Sequence, residues 1–286
     1  MKDEQTSRLS ERAILIRLST HDYTAKKQNK ALSEELCRNK NADSDVAEVT
    51  INLVPKNRLK AVNNAIGRAY RRHKELTLPF MRGGLDILPS EQFFDYRKEM
   101  KKVIASITNE VQLLKDDWPN IISKNKSRFG DIPEAKLPTA ADLDRLFGIE
   151  MDIMPVPEIG DFRVQAGDDE IAEIKAQVRE TYNDGITNYT RELYDRLGEL
   201  VAKVHETMSE RDKGFRDTLI TNLKDFCERL PKYNLGDNQE LESVRQEIIE
   251  KLGHLDPEDL REIPNKRKAA AKDAEEVLAK IADYIR

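Results

Sequence analysis

The most regular feature of the chain is an apolar stripe in its C-terminal part. From Ile171 to Met208, apolar and aromatic residues recur in ten steps of three or four, with a mean period of 3.7 residues. This spacing is typical of one face of an α-helix. The period is closer to an eleven-residue repeat than to a heptad, so it predicts a nearly straight helix rather than a left-handed coiled coil. Gly214 is a predicted break. Shorter apolar stripes then follow, and we expect a helical hairpin or bundle arm.

The N-terminal part contains short runs that predict strands. Ala13–Leu18 is continuously apolar at its centre, and Val49–Val54 alternates with period two before Pro55. Ile149, Met151 and Ile153 alternate in the same way and are typical of an edge strand. A further extended piece is predicted at the end of residues 155–164. These strands are expected to form one small antiparallel sheet.

Between the strands, two helices and one loop are predicted. A helix from Lys56 has apolar residues and His73 at helical spacing on one face and cations on the other. Residues 77–92 contain two prolines and a Gly-Gly pair, which predict an ordered, packed loop. Ser90 is a suitable N-cap for a helix to about Trp118, and Pro119 is expected to begin another short helix.

The charge is distributed unevenly along the chain. Residues 1–130 contain 25 Lys and Arg against 17 Asp and Glu, a net +8, whereas residues 131–286 contain 23 against 36, a net −13. We therefore predict a mostly α (α+β) protein with two domains. Residues 1–166 form an α+β domain that is net basic up to about residue 130, and residues 167–286 form an acidic helical arm or bundle. Such a split favours head-to-tail attraction within or between molecules.

The composition argues against several classes of function. Cys37 and Cys227 are 190 residues apart without a CxxC motif, so neither a disulfide framework nor a zinc site is expected. No apolar run reaches the roughly 20 residues that a membrane span needs. The histidines lack partners at metal-ligand spacing, and no P-loop, GxSxG, HExxH or Rossmann fingerprint is present. We expect a cytoplasmic, non-enzymatic protein without metal or cofactor.

The polar cluster that follows the first predicted strand has three interpretations. Ser19, His21 and Asp22 are chemically suited to catalysis, but the members of a triad normally come from separate loops. The lysines at 26, 27 and 30 could hold a phosphate, yet the segment has no glycine for a phosphate-binding nest. The favoured interpretation is a strand end in which Asp22 caps a helix through Leu36.

The basic face of the helix over residues 56–74 is the best candidate for binding a polyanion. Arg68, Arg71 and Arg72 lie on this face, and cations at helical spacing can follow the phosphates of a nucleic acid. Such a face is more often solvated or docked to an acidic partner helix, and the chain has an acidic half of its own. Both readings remain open at this point.

Three segments together resemble a family of unknown function found in bacteria and bacteriophages. They are "ILIRLSTHDYTAKK" (residues 14–27), the blocks "TLPF" and "GLDILPSEQFFDYRKEM" within residues 77–100, and "MPVPEIGDFRV" (residues 154–164). The resemblance implies a phage or mobile-element context, often near genes for a MoxR-type AAA ATPase and a von Willebrand A-domain protein. It implies no catalytic residues. The matching positions that we take as a candidate interaction surface are Ser19, Tyr23, Lys27, Phe80, Asp161, Phe162 and Arg163.

These observations lead to one principal hypothesis and one alternative. The principal hypothesis is a phage-derived, non-enzymatic interaction or assembly protein that associates with itself or with an AAA ATPase. The alternative is a nucleic-acid-binding accessory protein that uses the basic helix at residues 56–74. Turn residues and sheet edges also need Pro, Phe and capping hydroxyls, so the family positions have a purely structural explanation as well.

Overall fold

A computed structural model describes residues 9–130, 132, 136–157, 168–210 and 213–285. The described part is mostly helical, which confirms the predicted mostly α (α+β) class. The helices are α1 Lys30–Asn39, α2 Lys56–Leu76, α3 Phe93–Phe129, α4 Leu143–Leu146, α5 Asp168–Ser209, α6 Thr218–Tyr233, α7 Gln239–Leu252, α8 Pro257–Glu262 and α9 Pro264–Ile285. The strands are β1 Ala13–Asp22, β2 Lys26–Gln28, β3 Thr50–Asn52, β4 Leu78–Met81, β5 Leu85–Pro89 and β6 Phe147–Pro155.

Four of the strands form a small sheet in the order β4-β5-β1-β6. β1 pairs with β5 antiparallel, from Ala13 opposite Pro89 to Arg17 opposite Leu85. The prediction of an edge strand around Ile149–Ile153 is confirmed by β6. The predicted strand at Val49–Val54 shortens to β3, which pairs only with β2 in a separate two-stranded ladder.

Residues 77–92 were expected to form a packed loop, and this prediction is wrong. They form an antiparallel hairpin of β4 and β5, followed by a 3-10 turn at Ser90–Gln92. Gly83 and Gly84 have φ angles of +82° and +77°, a conformation that side chains with a Cβ rarely adopt. The glycines therefore permit a tight reversal, while the apolar residues on either side are buried in strands.

Helix α3 also differs from its prediction, because it continues through Pro119 to Phe129. A proline removes one backbone donor and usually ends or kinks a helix. Here the turns on both sides of it are held by tertiary contacts. Trp118 is buried and its Nε1 donates to the carbonyl oxygen of Pro138 at 2.9 Å. Asn125 is buried further along and donates to the carbonyl oxygen of Leu53 at 2.8 Å.

Contacts within the chain divide it into two compact units, each assembled from separate segments. Unit 1 comprises Met1–Arg17, Thr77–Phe94 and Ile153–Arg286, and unit 2 comprises Leu18–Leu76 and Asp95–Asp152. The predicted boundary at residues 166 and 167 falls outside the described residues, so it stays a prediction. Each unit has its own buried apolar cluster.

The core of unit 1 is a helical bundle against the β4-β5 hairpin. α5 is a single helix of 42 residues, and α9 and α6 pack against it. Buried members of the predicted stripe include Tyr182, Tyr189, Leu197 and Val204. The predicted bundle is therefore present, and α5 ends at Ser209, before Gly214.

An arginine from α9 holds the C-terminal end of α5. The Nη2 of Arg267 lies 2.5 Å from the carbonyl oxygen of Thr207, 2.7 Å from that of Glu210 and 2.6 Å from that of Lys213. Arg267 is buried, with its guanidinium 5.7 Å from the ring centroid of Phe215. The last carbonyls of a helix have no partner within the helix. A cation at this position supplies hydrogen bonds and complements the negative end of the helix dipole.

Candidate interaction surface

The candidate surface lies on α2 in unit 2, and its geometry begins with how α2 pairs with α3. The buried side of α2 includes Leu59, Val62, Ile66 and Ala69. It belongs to the same cluster as Ile107, Val111 and Leu114 of α3. This apolar side is the one that the sequence predicted, and it leaves the cations of α2 on its remaining surface.

One edge of α2 uses its arginines to contact α3. Arg58 pairs with Asp117 at 3.0 Å, Arg68 donates to the Ser106 hydroxyl at 3.5 Å, and Arg72 pairs with Glu99 at 3.3 Å. Partner numbers fall along α3 as they rise along α2, so the two helices run antiparallel. The pKa of Glu99 is lowered by hydrogen bonds from Lys102 and, more weakly, from Arg72. This edge is therefore occupied within the protein.

The side of α2 that faces away from the core carries cations that do not contact α3. Lys60 and Arg71 are exposed and eleven residues apart, so they lie on the same side of the helix three turns from each other. Neither has an ion-pair partner in the part of the chain that the structure describes. At one edge of this side, Lys74 lies 5.7 Å from the ring centroid of Tyr70. With Lys56 in the first turn, Lys60 and Arg71 are the exposed cations of α2 that have no ion pair among the described residues.

The two units differ in net charge. Counted over the segments of each unit, unit 2 contains 22 Lys and Arg against 18 Asp and Glu, a net +4. Unit 1 contains 26 against 35, a net −9. An exposed pair of uncompensated cations on a net basic unit attracts acidic surfaces or polyanions over distances of about a Debye length, roughly 10 Å at 0.1 M salt.

The three polar family positions of the first segment lie in unit 2. Ser19 is half-buried in β1, and Lys27 is exposed on β2. Tyr23 packs edge-on against Phe147 with ring centroids 6.2 Å apart, and burial raises the pKa of its hydroxyl. Of these three, Lys27 is the residue whose side chain is open to a partner.

The other family positions divide into buried and undescribed residues. Phe80 is 1% exposed and packs against Tyr182 and Tyr189 inside unit 1, so its ring is not available to a partner. Asp161, Phe162 and Arg163 lie outside the described residues. The structural explanation, in which aromatic residues of the motif anchor the hairpin, fits Phe80.

The expected cap by Asp22 is wrong. Asp22 is the last residue of β1, and residues 26–28 form β2 rather than a helix. Helix α1 begins later, at Lys30, where the Oδ1 of Asn29 accepts a hydrogen bond from the backbone N–H of Leu32 at 3.1 Å. Asp and Asn are both good N-caps. Because residues 26–28 pair with β3 as a strand, the helix begins after them, and the cap is Asn29 rather than Asp22.

A cleft in unit 1 was not foreseen from the sequence. It has a volume of about 490 Å³ and is lined by Ile186, Tyr189, Thr190, Leu235 and Asp237 among others. Burial raises the pKa of Tyr189 to about 12, against the opposing effect of hydrogen bonds with Thr190 and the Gly236 backbone. At the same place Arg12 pairs with Asp237 at 3.1 Å. The tyrosine is therefore neutral near pH 7.

The described residues contain no group of His, Cys, Asp and Glu that could hold a metal ion. Both cysteines are buried and free, and burial raises the pKa of Cys227 to about 11, so its thiol is protonated at neutral pH. The helices that the structure describes include none long and apolar enough to cross a membrane.

Comparison with protein-family models, curated proteins and solved structures finds no match for this chain. The resemblance to the phage-associated family therefore remains a hypothesis.

Proposed function

We propose that this protein is a non-enzymatic interaction and assembly protein that docks an acidic protein surface on the exposed side of α2. The proposal rests on one observation, that some cations of this helix contact α3 while others are exposed. Arg58, Arg68 and Arg72 have partners on α3, whereas Lys60 and Arg71 are exposed without ion pairs in the described residues. The preferred acidic surface is unit 1 of a second copy, because unit 1 carries a net −9.

This proposal includes the context implied by the family resemblance. The protein then acts in the cytoplasm of a bacterial host as a phage-derived component, and an AAA ATPase is the second partner class to test. Docking through exposed cations gives fast and salt-sensitive association more than high affinity.

The deciding experiment is sedimentation velocity at low and high salt. Wild-type protein is expected to self-associate at about 50 mM salt and to dissociate near 500 mM, where screening is much shorter in range. The double variant K60E/R71E should lose the association at low salt. The matched control K98E/K101E changes the net charge equally, at exposed α3 residues that have no ion pair within the described ranges, and should associate as wild type. A wild-type protein that stays monomeric at low salt refutes self-assembly.

Nucleic-acid binding is the second candidate, and the same exposed cations favour it. Reversing Arg68 and Arg72 would also disrupt their contacts with α3, so K60E/R71E is the cleaner test. If the candidate holds, an oligonucleotide binds with an affinity that falls steeply with salt, and the double variant weakens binding. Equal binding by K60E/R71E and K98E/K101E would rule out this side of α2.

A further inference from the structure

The last turns of α3 hold an arginine in a fixed position beside β3. The Nη1 of Arg128 donates to the carbonyl oxygen of Leu53 at 3.2 Å and to the Oδ1 of Asn125 at 2.8 Å. Its Nη2 donates to the carbonyl oxygen of Asn52. Asn125 is buried and donates to the same Leu53 carbonyl, so the anchor of the guanidinium is itself held.

These contacts use three of the five guanidinium N–H donors. The neighbouring carbonyl oxygens of Asn52 and Leu53 are contacted by different nitrogens, Nη2 and Nη1, and so fit the pair of donors at the end of the guanidinium; this assignment gives the outer donor of Nη1 to Asn125. What remains is the Nε–H and the outer N–H of Nη2, which lie parallel on one side of the group. Neither has an acceptor among the described residues, and Arg128 is exposed. Two parallel N–H groups of this kind match two oxygens of a carboxylate or phosphate.

The described residues supply no negative charge to compensate that of Arg128. All three of its acceptors are neutral amide oxygens, and it has no ion pair with a described carboxylate. Lys26 stands opposite Asn52 in the β2-β3 ladder, beside the residue whose carbonyl Arg128 contacts. Lys124 lies one turn before Arg128 on α3 and is exposed. Both lysines are without ion pairs in the described part of the chain.

We infer that the free side of Arg128, together with Lys26, forms a binding site for a phosphate group. A carboxylate would be satisfied by the two parallel donors alone. Additional lysines favour a phosphate, which offers a further oxygen and a larger negative charge to a flexible ammonium. The site goes beyond the proposed function, because none of its residues belongs to the α2 surface. Free phosphate and the phosphodiester backbone of a nucleic acid share this chemistry.

The test follows the side-chain Nε–H resonance of Arg128 by NMR in the full chain, assigned by its absence in R128K. Titration with inorganic phosphate at constant ionic strength should shift this resonance saturably. Sodium acetate should shift it much less, and sodium chloride should not shift it. R128K keeps the charge but loses the parallel donors. Its phosphate affinity, followed on backbone amide resonances near the site because the Nε–H is absent, should fall about tenfold, the loss of roughly one charged hydrogen bond. K98Q on α3 is the control and should bind phosphate like wild type.

A second titration with a short oligothymidylate distinguishes the two sources. A shift with inorganic phosphate alone assigns the site to a free phosphate, and a stronger response to the oligonucleotide assigns it to a phosphodiester backbone. The inference is overturned if acetate shifts the resonance as phosphate does, if the response is not saturable, or if R128K binds phosphate with wild-type affinity. The wild-type titration uses R128K only to assign the resonance, and the comparison of phosphate with acetate is made on the wild-type protein alone.

Discussion

Replacing Gly185 by alanine tests whether packing against the hairpin outweighs helix propensity in α5. A Cβ at this position would lie 2.8 Å from Cε2 of Phe80 and 3.0 Å from its Cδ2 and Cζ. Gly198, further along the same helix, provides a matched comparison. There the nearest atom to a new Cβ would be Cγ2 of Ile281, at an ordinary contact distance of 3.6 Å. The same substitution in one helix thus meets two different environments.

The change in the free energy of unfolding is expected to have opposite signs in G198A and G185A. Glycine in a helix interior is about 1 kcal/mol less favourable than alanine, so G198A should stabilise the protein by up to that amount. At Gly185 the same gain opposes overpacking, which costs about 1–3 kcal/mol in a well-packed core. Phe80 is buried, with Tyr182 and Tyr189 at ring-centroid distances of 5.7 and 6.3 Å, so its ring has little room to move. We expect G185A to destabilise by about 1 kcal/mol.

Urea unfolding followed by far-UV circular dichroism measures both changes. The double variant F80L/G185A removes the flat ring that meets the new Cβ. The destabilisation by G185A should therefore be smaller in the F80L background than in wild type, which is a coupling between neighbouring residues. If G185A stabilises the protein as much as G198A does, the close packing of Phe80 on α5 is incorrect.

Two further predictions concern charged groups of unit 1. Replacing Arg267 by Met should destabilise by about 2–4 kcal/mol, because the carbonyls at the end of α5 lose a buried charged donor; a loss below about 0.5 kcal/mol in urea unfolding would contradict this role. The pKa of Glu247 is lowered by hydrogen bonds from Lys280 and Lys251. The ionised Glu247 contributes its full stabilisation to the free energy of unfolding above the unfolded pKa of about 4.3, and this stabilisation is lost as pH falls through the lower folded pKa. E247Q should therefore make the free energy of unfolding depend less on pH on the acid side. An unchanged profile would argue against these ion pairs in solution.

The long helices were predictable because their signal is local. In α5 the apolar stripe recurs at helical spacing over the whole element, and burial of Tyr182, Leu193 and Val204 follows from that spacing. The same holds for α2, where Leu59, Val62 and Ile66 predicted the buried side. A helix whose periodic stripe is long needs little information from elsewhere in the chain.

The errors fall where a local rule competed with a distant contact. Pro119 carries a strong local signal for a helix break, but α3 is held together by Trp118 and Asn125, whose partners lie at Pro138 and Leu53. Residues 77–92 were expected to be a loop because the segment contains two prolines and a Gly-Gly pair. Pairing with β1, whose residues are about 70 positions away, makes β5 a strand.

The sequence by itself determined the fold class, the main helices and the charge asymmetry between the two ends of the chain. It identified the basic face of α2, but it could not distinguish the cations that are paired from those that are exposed. Only the tertiary structure decided that Arg72 is paired while Arg71 is exposed, and that Arg128 meets Asn52, 76 residues away. The physical reason is that periodicity and charge are properties of neighbouring residues, whereas a satisfied or vacant donor depends on which distant segment folds beside it.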